Sequence, residues 1–592
     1  MTDYAAPVRD MSFVIEELIG LDTVAALPGL DWVTGDLVRQ VLAEAGKFGA
    51  EVLAPLNRVG DIEGCALRNG VVTTPEGFAD AYRQFTAGGW NGTIAAPDHG
   101  GQGLPWLVAT AIGEIWESAN LAFSLCPMLT QSAIWALTIH GSPEQKDIWL
   151  PRLVSGEWSG TMNLTEPHAG SDVGALRTRA VREDGHYRIK GQKIFITWGE
   201  HDMAENIVHT VLARVDGAPE GTRGISLFIV PKYLVNADGS LGARNDLRCA
   251  ALEHKLGIHA SPTAVMSYGD DEGAVGYLVG EENRGMEYMF TMMNNARLGV
   301  GREGLAMAER AFQQARDYAA GRVQGRSIAD PAAGPVAIVK HPDVRRMLMT
   351  MKAEIEAMRA LAYAVAADLD VAGRHEDAGT RARRQARVDL LVPVVKAWCS
   401  DTGVAIASEA VQVHGGAGFI EETGAAQHYR DSRITPIYEG TNGIQALDLV
   451  RRKILGDRGA AVRDLMAEMD ALARGTGSAA TAPILDALAG GLAELGEATD
   501  WLLADRPAAT AAAAATPYLA LIGTVAGGWL LARSAAIADA RAAEDGDPFY
   551  RAKVDTARFY AECVLPRAAS LKRAAIGGAA LLDGFDEQRL WH

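Results

Sequence analysis

From about residue 159 to residue 280 the apolar residues of this chain gather into short runs, whereas on either side they recur every three or four positions. This double change of period constrains the fold more than any other feature, because a strand-forming segment set between helical ones excludes both a pure bundle and a pure sandwich. The runs at 187–189, 194–197, 207–213 and 225–230 are separated by turns such as Lys190-Gly191 and Glu220-Gly221. Upstream, 36–157 reads as helices joined by glycine-rich loops, with a strong apolar stretch at 106–116. Its clearest start is Ser142-Pro143-Glu144-Gln145: an N-cap, a proline in the first turn and a glutamine three residues on. Downstream, the spacing predicts long helices over 286–322, 342–369, 383–413 and 444–472, which suggests a four-helix bundle. The linker Gly475-Thr476-Gly477-Ser478-Ala479 then sets off an alanine-rich helical region reaching His592, in which 511–515 favours packed helix.

The class expected is α+β, in five segments. These are an amino-terminal extension (1–34), a helical domain (35–158), a β-barrel-like domain (159–283), a helical bundle (284–474) and an additional helical domain (475–592). A length of 592 residues is too great for one simple core. The formal net charge of -18 argues against nucleic acid as a partner, since phosphate binding needs clustered Lys and Arg. Cys65, Cys126, Cys249, Cys399 and Cys563 show no CxxC spacing, so neither a metal site nor a disulfide framework is expected. The amino terminus, where Asp3 and Arg9 frame a mixed polar stretch, has no basic start followed by an apolar run. A cytoplasmic protein follows as the expectation. The most apolar tract, 516–531, contains Pro517, Gly523, Gly527 and Gly528 and reads as too short and interrupted for a membrane span.

One short segment places a lone carboxylate in a loop. Ile437 and Tyr438 precede Glu439, Gly440 allows a close approach, and an amphipathic stretch begins near Ile444. A glutamate beside a glycine is most often a solvated loop residue; its company elsewhere in the chain changes that reading.

Met162-Asn163-Leu164-Thr165-Glu166-Pro167-His168-Ala169-Gly170-Ser171-Asp172 is similar to the TEPxAGSD signature of the acyl-CoA dehydrogenase family. Gly191-Gln192-Lys193-Ile194-Phe195-Ile196-Thr197 resembles that family's GxKxWIT strand, with Phe195 where tryptophan is common. Further on, Asn294-Asn295-Ala296-Arg297 stands where the family grips CoA, and Arg322-Val323-Gln324-Gly325 resembles its RxQFG turn without the phenylalanine. Gln412-Val413-His414-Gly415-Gly416-Ala417-Gly418 matches its QxxGGxG segment. The resemblance covers roughly 35–455, and the extra region after Gly475 looks like an extended bacterial subgroup.

The resemblance implies an acyl-CoA dehydrogenase-like fold and an FAD-dependent enzyme that oxidises an acyl-CoA to a trans-2-enoyl-CoA, passing electrons to an electron-transfer flavoprotein. The FAD contacts it implies are Met162, Leu164, Thr165, Ser171, Phe195, Ile196, Thr197, Arg322, Gln324, Gln412, Gly415, Gly416 and Thr441. The substrate contacts are Ser171, Asn294, Arg297 and Gly440, and Glu439 is the base that removes the α-proton. Burial beside flavin and an apolar chain is expected to raise that carboxyl toward the working range. Some relatives place the base directly before the CoA-binding arginine; Ala296 stands there and has no basic group. A homodimer is implied, since the QxxGGxG segment of relatives crosses a subunit interface. The alternatives are an acyl-CoA oxidase and a DNA-associated flavoprotein of the same fold; the acidic balance after Gly475 disfavours the latter. Met128, Ser132 and Trp135 are candidate walls of the acyl pocket, each equally an ordinary core residue.

Overall fold

The computed structural model of the chain describes residues 4–236, 238–504 and 506–592. Asp3, used above to read the amino terminus, lies outside them. The chain forms two compact units, one of Met1–Glu44, Pro105–Glu114 and Val300–His592, the other of Ala45–Leu104 and Ile115–Gly299.

The second unit contains the sheet that the change of period predicts. Its strands are β1 (Trp158–Asn163), β2 (Arg179–Glu183), β3 (His186–Thr197), β4 (Asn206–Val215), β5 (Ile225–Pro231), β6 (Leu247–Leu252), β7 (Thr263–Tyr268) and β8 (Ala274–Leu278). They pair in the order β6-β7-β3-β8-β5-β4-β1, and β2 joins both β3 and β4, so β3, β8, β5, β4 and β2 close a ring. Closure removes open edges, which explains the barrel-like pattern of the sequence. The two apolar runs at 187–189 and 194–197 prove to be one strand, β3, long enough to serve the ring at one end and β7 at the other. Ala180, Ile189, Val211, Phe228, Val230 and Met266 fill the interior. β1 is buried along its whole length. The helix Pro143–Ser155 carries the capping box foreseen at Ser142 and Gln145.

Seven helices carry the contacts described below: α1 (Trp106–Ala119), α2 (Leu121–His140), α3 (Gly285–Gly321), α4 (Pro342–Arg374), α5 (Ala378–His414), α6 (Ala515–Asp545) and α7 (Pro548–Phe559). Three of the four helices predicted for the bundle are present, but 444–472 is not one helix. It divides into Asn442–Asp448, a π-helical turn Leu449–Ile454, and Ala460–Ala473. Arg458 and Gly459 both take positive φ, at +57° and +78°, and a right-handed helix cannot run through them.

The apolar tract 516–531 also needs correction: α6 is continuous through it. A Cβ on Gly523 would lie 2.4 Å from Cγ of Trp398, so this glycine makes room for an indole of α5 rather than breaking the helix. Helix α6 thereby packs as a long neighbour of α5, and at Gly527 of Ala357 on α4. Among the described residues, Leu121–His140, Ala378–Phe419 and Ala515–Glu544 are long and apolar enough to cross a membrane, and 78% of each apolar window is buried inside the protein.

An ionic cluster fastens the first unit. Arg359 of α4, buried, donates to Glu114 of α1 at 2.6 and 2.9 Å, to Glu309 of α3 at 2.7 Å and to Asp10 at 2.6 Å. Tyr363 donates to Glu114 at 2.6 Å. Lys553 of α7 bridges Asp10 at 2.6 Å and Glu356 of α4 at 2.7 Å. Burial opposes the charge on Arg359, but Glu114, Glu309 and Asp10 outweigh it and hold the guanidinium well above its ordinary pKa. A planar fork of five donors suits this convergence of carboxylates. Asp370 adds a second tie, accepting from the N–H groups of Trp106 and Leu107 at 2.8 and 3.0 Å at the open start of α1. Replacing Arg359 by Ala leaves three carboxylates without their common cation. The expected loss is about 3–5 kcal/mol of unfolding free energy for this unit, read by denaturant titration with hydrogen exchange across 342–374.

Candidate active site

In the second unit, two of the sequence motifs are bound to each other. As the chain leaves β1, Ile194 N–H donates to Thr165 O at 2.9 Å, and Lys193 Nζ donates to Leu164 O at 2.9 Å and to Glu166 Oε1 at 2.8 Å. Glu166 also accepts from Arg177 N at 2.7 Å, Thr178 N at 3.0 Å and Thr178 Oγ1 at 2.6 Å. Burial works against this carboxylate, but the Lys193 ammonium and the Thr178 and Arg177 donors outweigh it and hold Glu166 below the ordinary carboxylate range. Glu166 and Ala169 exchange backbone hydrogen bonds of 3.0 Å, which closes Pro167-His168 into a tight turn. The pair thus fixes Leu164 and Thr165 beside the strand of Phe195. Sequence reasoning gave Lys193 and Glu166 no role, although a lysine inside an apolar strand run is itself a sign of a buried partner.

Phe195 sits at a bulge. The register of β3 on β7 shifts between Ala264 and Met266, so Ile194 and Phe195 together oppose Val265. Phe195 takes φ +59°, and the residue is left 57% exposed. A β-branched or aromatic residue with positive φ is rare, and such strain persists where the surroundings over-determine it. Met162 and Ile196 are buried, Thr165 and Thr197 half-buried, and Ser171 exposed. On α3, Arg297 is 7% exposed, donates to Asn294 Oδ1 at 3.3 Å and lies 5.8 Å from the ring centroid of Phe290. It is therefore a held cation rather than a solvated surface arginine. Ser132 donates within its own helix to Met128 O at 3.1 Å; both are buried in α2, where Trp135 is half-buried.

In the first unit, the Glu439 loop is held at both flanks. Glu439 takes φ +56° and Gly440 +83°. Gln445 Nε2 donates to the carbonyls of both, each at 3.2 Å. Thr441 caps the helix Asn442–Asp448, its Oγ1 accepting from Ile444 N at 3.3 Å. Asn442 is buried; it accepts from Lys396 Nζ at 2.8 Å and donates to Ala397 O at 3.1 Å and Ser400 Oγ at 3.0 Å. Before the loop, Tyr438 Oη donates to the carboxylate of Glu303. None of Lys396, Gln445 or Glu303 carries a motif that sequence spacing reveals, since each comes to the loop through packing of distant helices or through its own buried turn.

The remaining predicted cofactor residues of this unit are exposed. Arg322 follows α3, and Gln324 lies in the strand Val323–Arg326 with its carbonyl 2.7 Å from His341 Nε2. Gln412 is in the last turn of α5, and beyond it a Cβ on Gly415 or Gly416 would meet open space.

Family models match in the order of the chain: acyl-CoA dehydrogenase N-terminal domain at 38–157, middle domain at 161–270 and C-terminal domain at 283–454, then an acetyl-CoA dehydrogenase C-terminal-like model at 465–583. The chain is 50% identical over 569 residues to 3-methylmercaptopropionyl-CoA dehydrogenase of Ruegeria pomeroyi, which spans 95% of this chain and 96% of that protein. It is 34% identical to a butyryl-CoA dehydrogenase of Syntrophomonas wolfei, over 99% of each. Its fold matches the crystal structure of an acyl-CoA dehydrogenase from Bacillus anthracis complexed with FAD, with TM-score 0.73 and 21% identity over 96% of this chain and 92% of the other.

The Glu166–Lys193 pair makes stability depend on pH. Because the folded carboxyl is held below its unfolded value, its contribution is present above the ordinary carboxylate range and is lost as pH falls through the folded pKa. Glu166→Gln therefore lowers the melting temperature at pH 7, and calorimetry from pH 7 to pH 3 shows its deficit against the wild type shrinking toward acid.

Proposed function

The chain belongs to the acyl-CoA dehydrogenase family of oxidoreductases, and we propose that it acts with FAD on a short acyl-CoA, 3-methylmercaptopropionyl-CoA first among them. The substrate reading rests on the Ruegeria pomeroyi relative, whose name carries that thioester. The observation that carries the mechanism is the presentation of Glu439: a half-buried carboxylate on left-handed backbone, in a loop whose carbonyls and flanking side chains are tied down.

The residues suit FAD. An exposed aromatic residue on left-handed backbone offers a face to a planar aromatic group, so Phe195 would hold the isoalloxazine together with Met162, Leu164, Thr165, Ile196 and Thr197. FAD, when bound, supplies the acceptor for the hydride that leaves the β-carbon. The protein's own contribution is to bind, orient and move a proton. Arg297, with Asn294 and Ser171, meets the anionic CoA arm. Gly440 leaves room for the thioester. Glu439 takes the α-proton as the carbon–carbon double bond forms, and the product is a trans-2-enoyl-CoA. Arg322, Gln324, Thr441 and the Gln412, Gly415 and Gly416 segment are assigned to FAD on the family's motifs.

We assign the electrons to an electron-transfer flavoprotein, and the working form to a cytoplasmic homodimer. Phe419 and Ile420, 86% and 51% exposed just after the Gly415-Gly416 segment, form an apolar patch that supports an interface there.

Glu439→Gln is expected to retain FAD and lose flavin bleaching by acyl-CoA by about a hundredfold or more. Anaerobic mixing with propionyl-, butyryl- and 3-methylmercaptopropionyl-CoA reads both the variant and the substrate order; undiminished bleaching by the variant removes Glu439 from the role. Turnover that produces peroxide and ignores an electron-transfer flavoprotein would instead identify an oxidase.

A further inference from the structure

Glu303 is a carboxylate with no exposure at all, set in the middle of α3. Burying such a group is costly unless it is matched, so a fully enclosed glutamate signals a dedicated partner. One partner is the phenol of Tyr438, which lies 135 residues along the chain and directly precedes Glu439. The far flank of the same loop is held by Asn442 against Lys396 and Ser400 of α5.

The two anchors share one foundation. A Cβ on Gly301 would lie 2.6 Å from Val395 Cγ1, and one on Gly304 would lie 2.5 Å from Cys399 O. The backbone of α3 therefore rests against the turn of α5 that bears Lys396 and Ser400, and Glu303 lies between the two glycines in sequence. The anchor before Glu439 and the anchor after it thus stand on two helices that touch backbone to backbone.

We propose that Glu303 is a positioning residue for the reaction, acting through Tyr438 to hold Glu439 in its left-handed conformation. The assignment rests on Glu439 being the base. Positive φ at a non-glycine residue relaxes unless its neighbours prevent it. Tyr438 is the immediate neighbour, and the Glu303 hydrogen bond fixes the end of its side chain. A base displaced by about 1 Å loses roughly a hundredfold in rate even when the substrate still binds, so the effect belongs to kcat rather than to KM.

The test is anaerobic single-turnover flavin reduction by acyl-CoA in holoenzyme of the wild type, Glu303→Ala, Glu303→Gln, Tyr438→Phe, the Glu303→Ala/Tyr438→Phe double variant and Glu439→Gln. Glu303→Ala and Tyr438→Phe are each expected to slow reduction about tenfold to a hundredfold, with FAD content unchanged and the acyl-CoA concentration that half-saturates the reduction rate within about threefold. Removing both should slow it no further than the slower single change, because one interaction is lost in each. Glu303→Gln keeps an acceptor for the phenol and should recover most of the rate lost in Glu303→Ala. Tyr438→Phe, which removes one oxygen, carries the test if Glu303→Ala does not accumulate as holoenzyme. Losses that multiply in the double variant, or wild-type reduction by Tyr438→Phe, overturn the proposal while leaving Glu439→Gln inactive. Reduction by Glu439→Gln would instead strike at the base itself.

Discussion

One guanidinium organises the first unit. Arg359 draws together Asp10 near the amino terminus, Glu114 on α1 and Glu309 on α3, while Lys553 adds α7 through Asp10. Segments separated by more than five hundred residues thus converge on a cluster in which each charge is buried because its opposite is buried too. The cluster need not add net stability over an apolar core of the same shape. What it adds is uniqueness: each acid finds its donors in one arrangement of the helices. Glu309 lies six residues, about 9 Å, along α3 from Glu303. The helix that positions the Glu439 loop is therefore the helix that the cluster fixes.

Phe195 and Glu439 share an unusual backbone. Both take positive φ without being glycine, and both lie in stretches singled out for chemistry. The supports differ in kind. At Phe195 the ladder to β7 forces an extra residue into β3, and the neighbouring Lys193–Glu166 pair pins the strand from beneath. At Glu439 the supports are side chains reaching from helices. In each case the local conformation is unfavourable and the surrounding packing maintains it, which keeps a ring or a carboxylate presented instead of folded back.

Much of this is legible in the sequence. The switch from helical to strand period located the sheet, because alternation and helical spacing are direct images of which face is buried. The Ser142 capping box was legible because its partners lie three residues apart. The span 444–472 is not one helix although its apolar spacing continues across Arg458 and Gly459, because spacing does not report the sign of φ. The glycines of α6 misled for the opposite reason. They read as interruptions, yet they are the small positions that let Trp398 approach.

By itself the sequence determined the class, the order of helical and strand segments and the family motifs, since periodicity and short motifs are local properties. Tertiary structure decided what surrounds them. That Lys193 is buried on Glu166, that Asn442 answers Lys396, and that Glu303 stands behind Tyr438 are facts about groups brought together from across the chain. Their partners are chosen by helix packing and strand register, and these depend on the whole fold rather than on any window of residues.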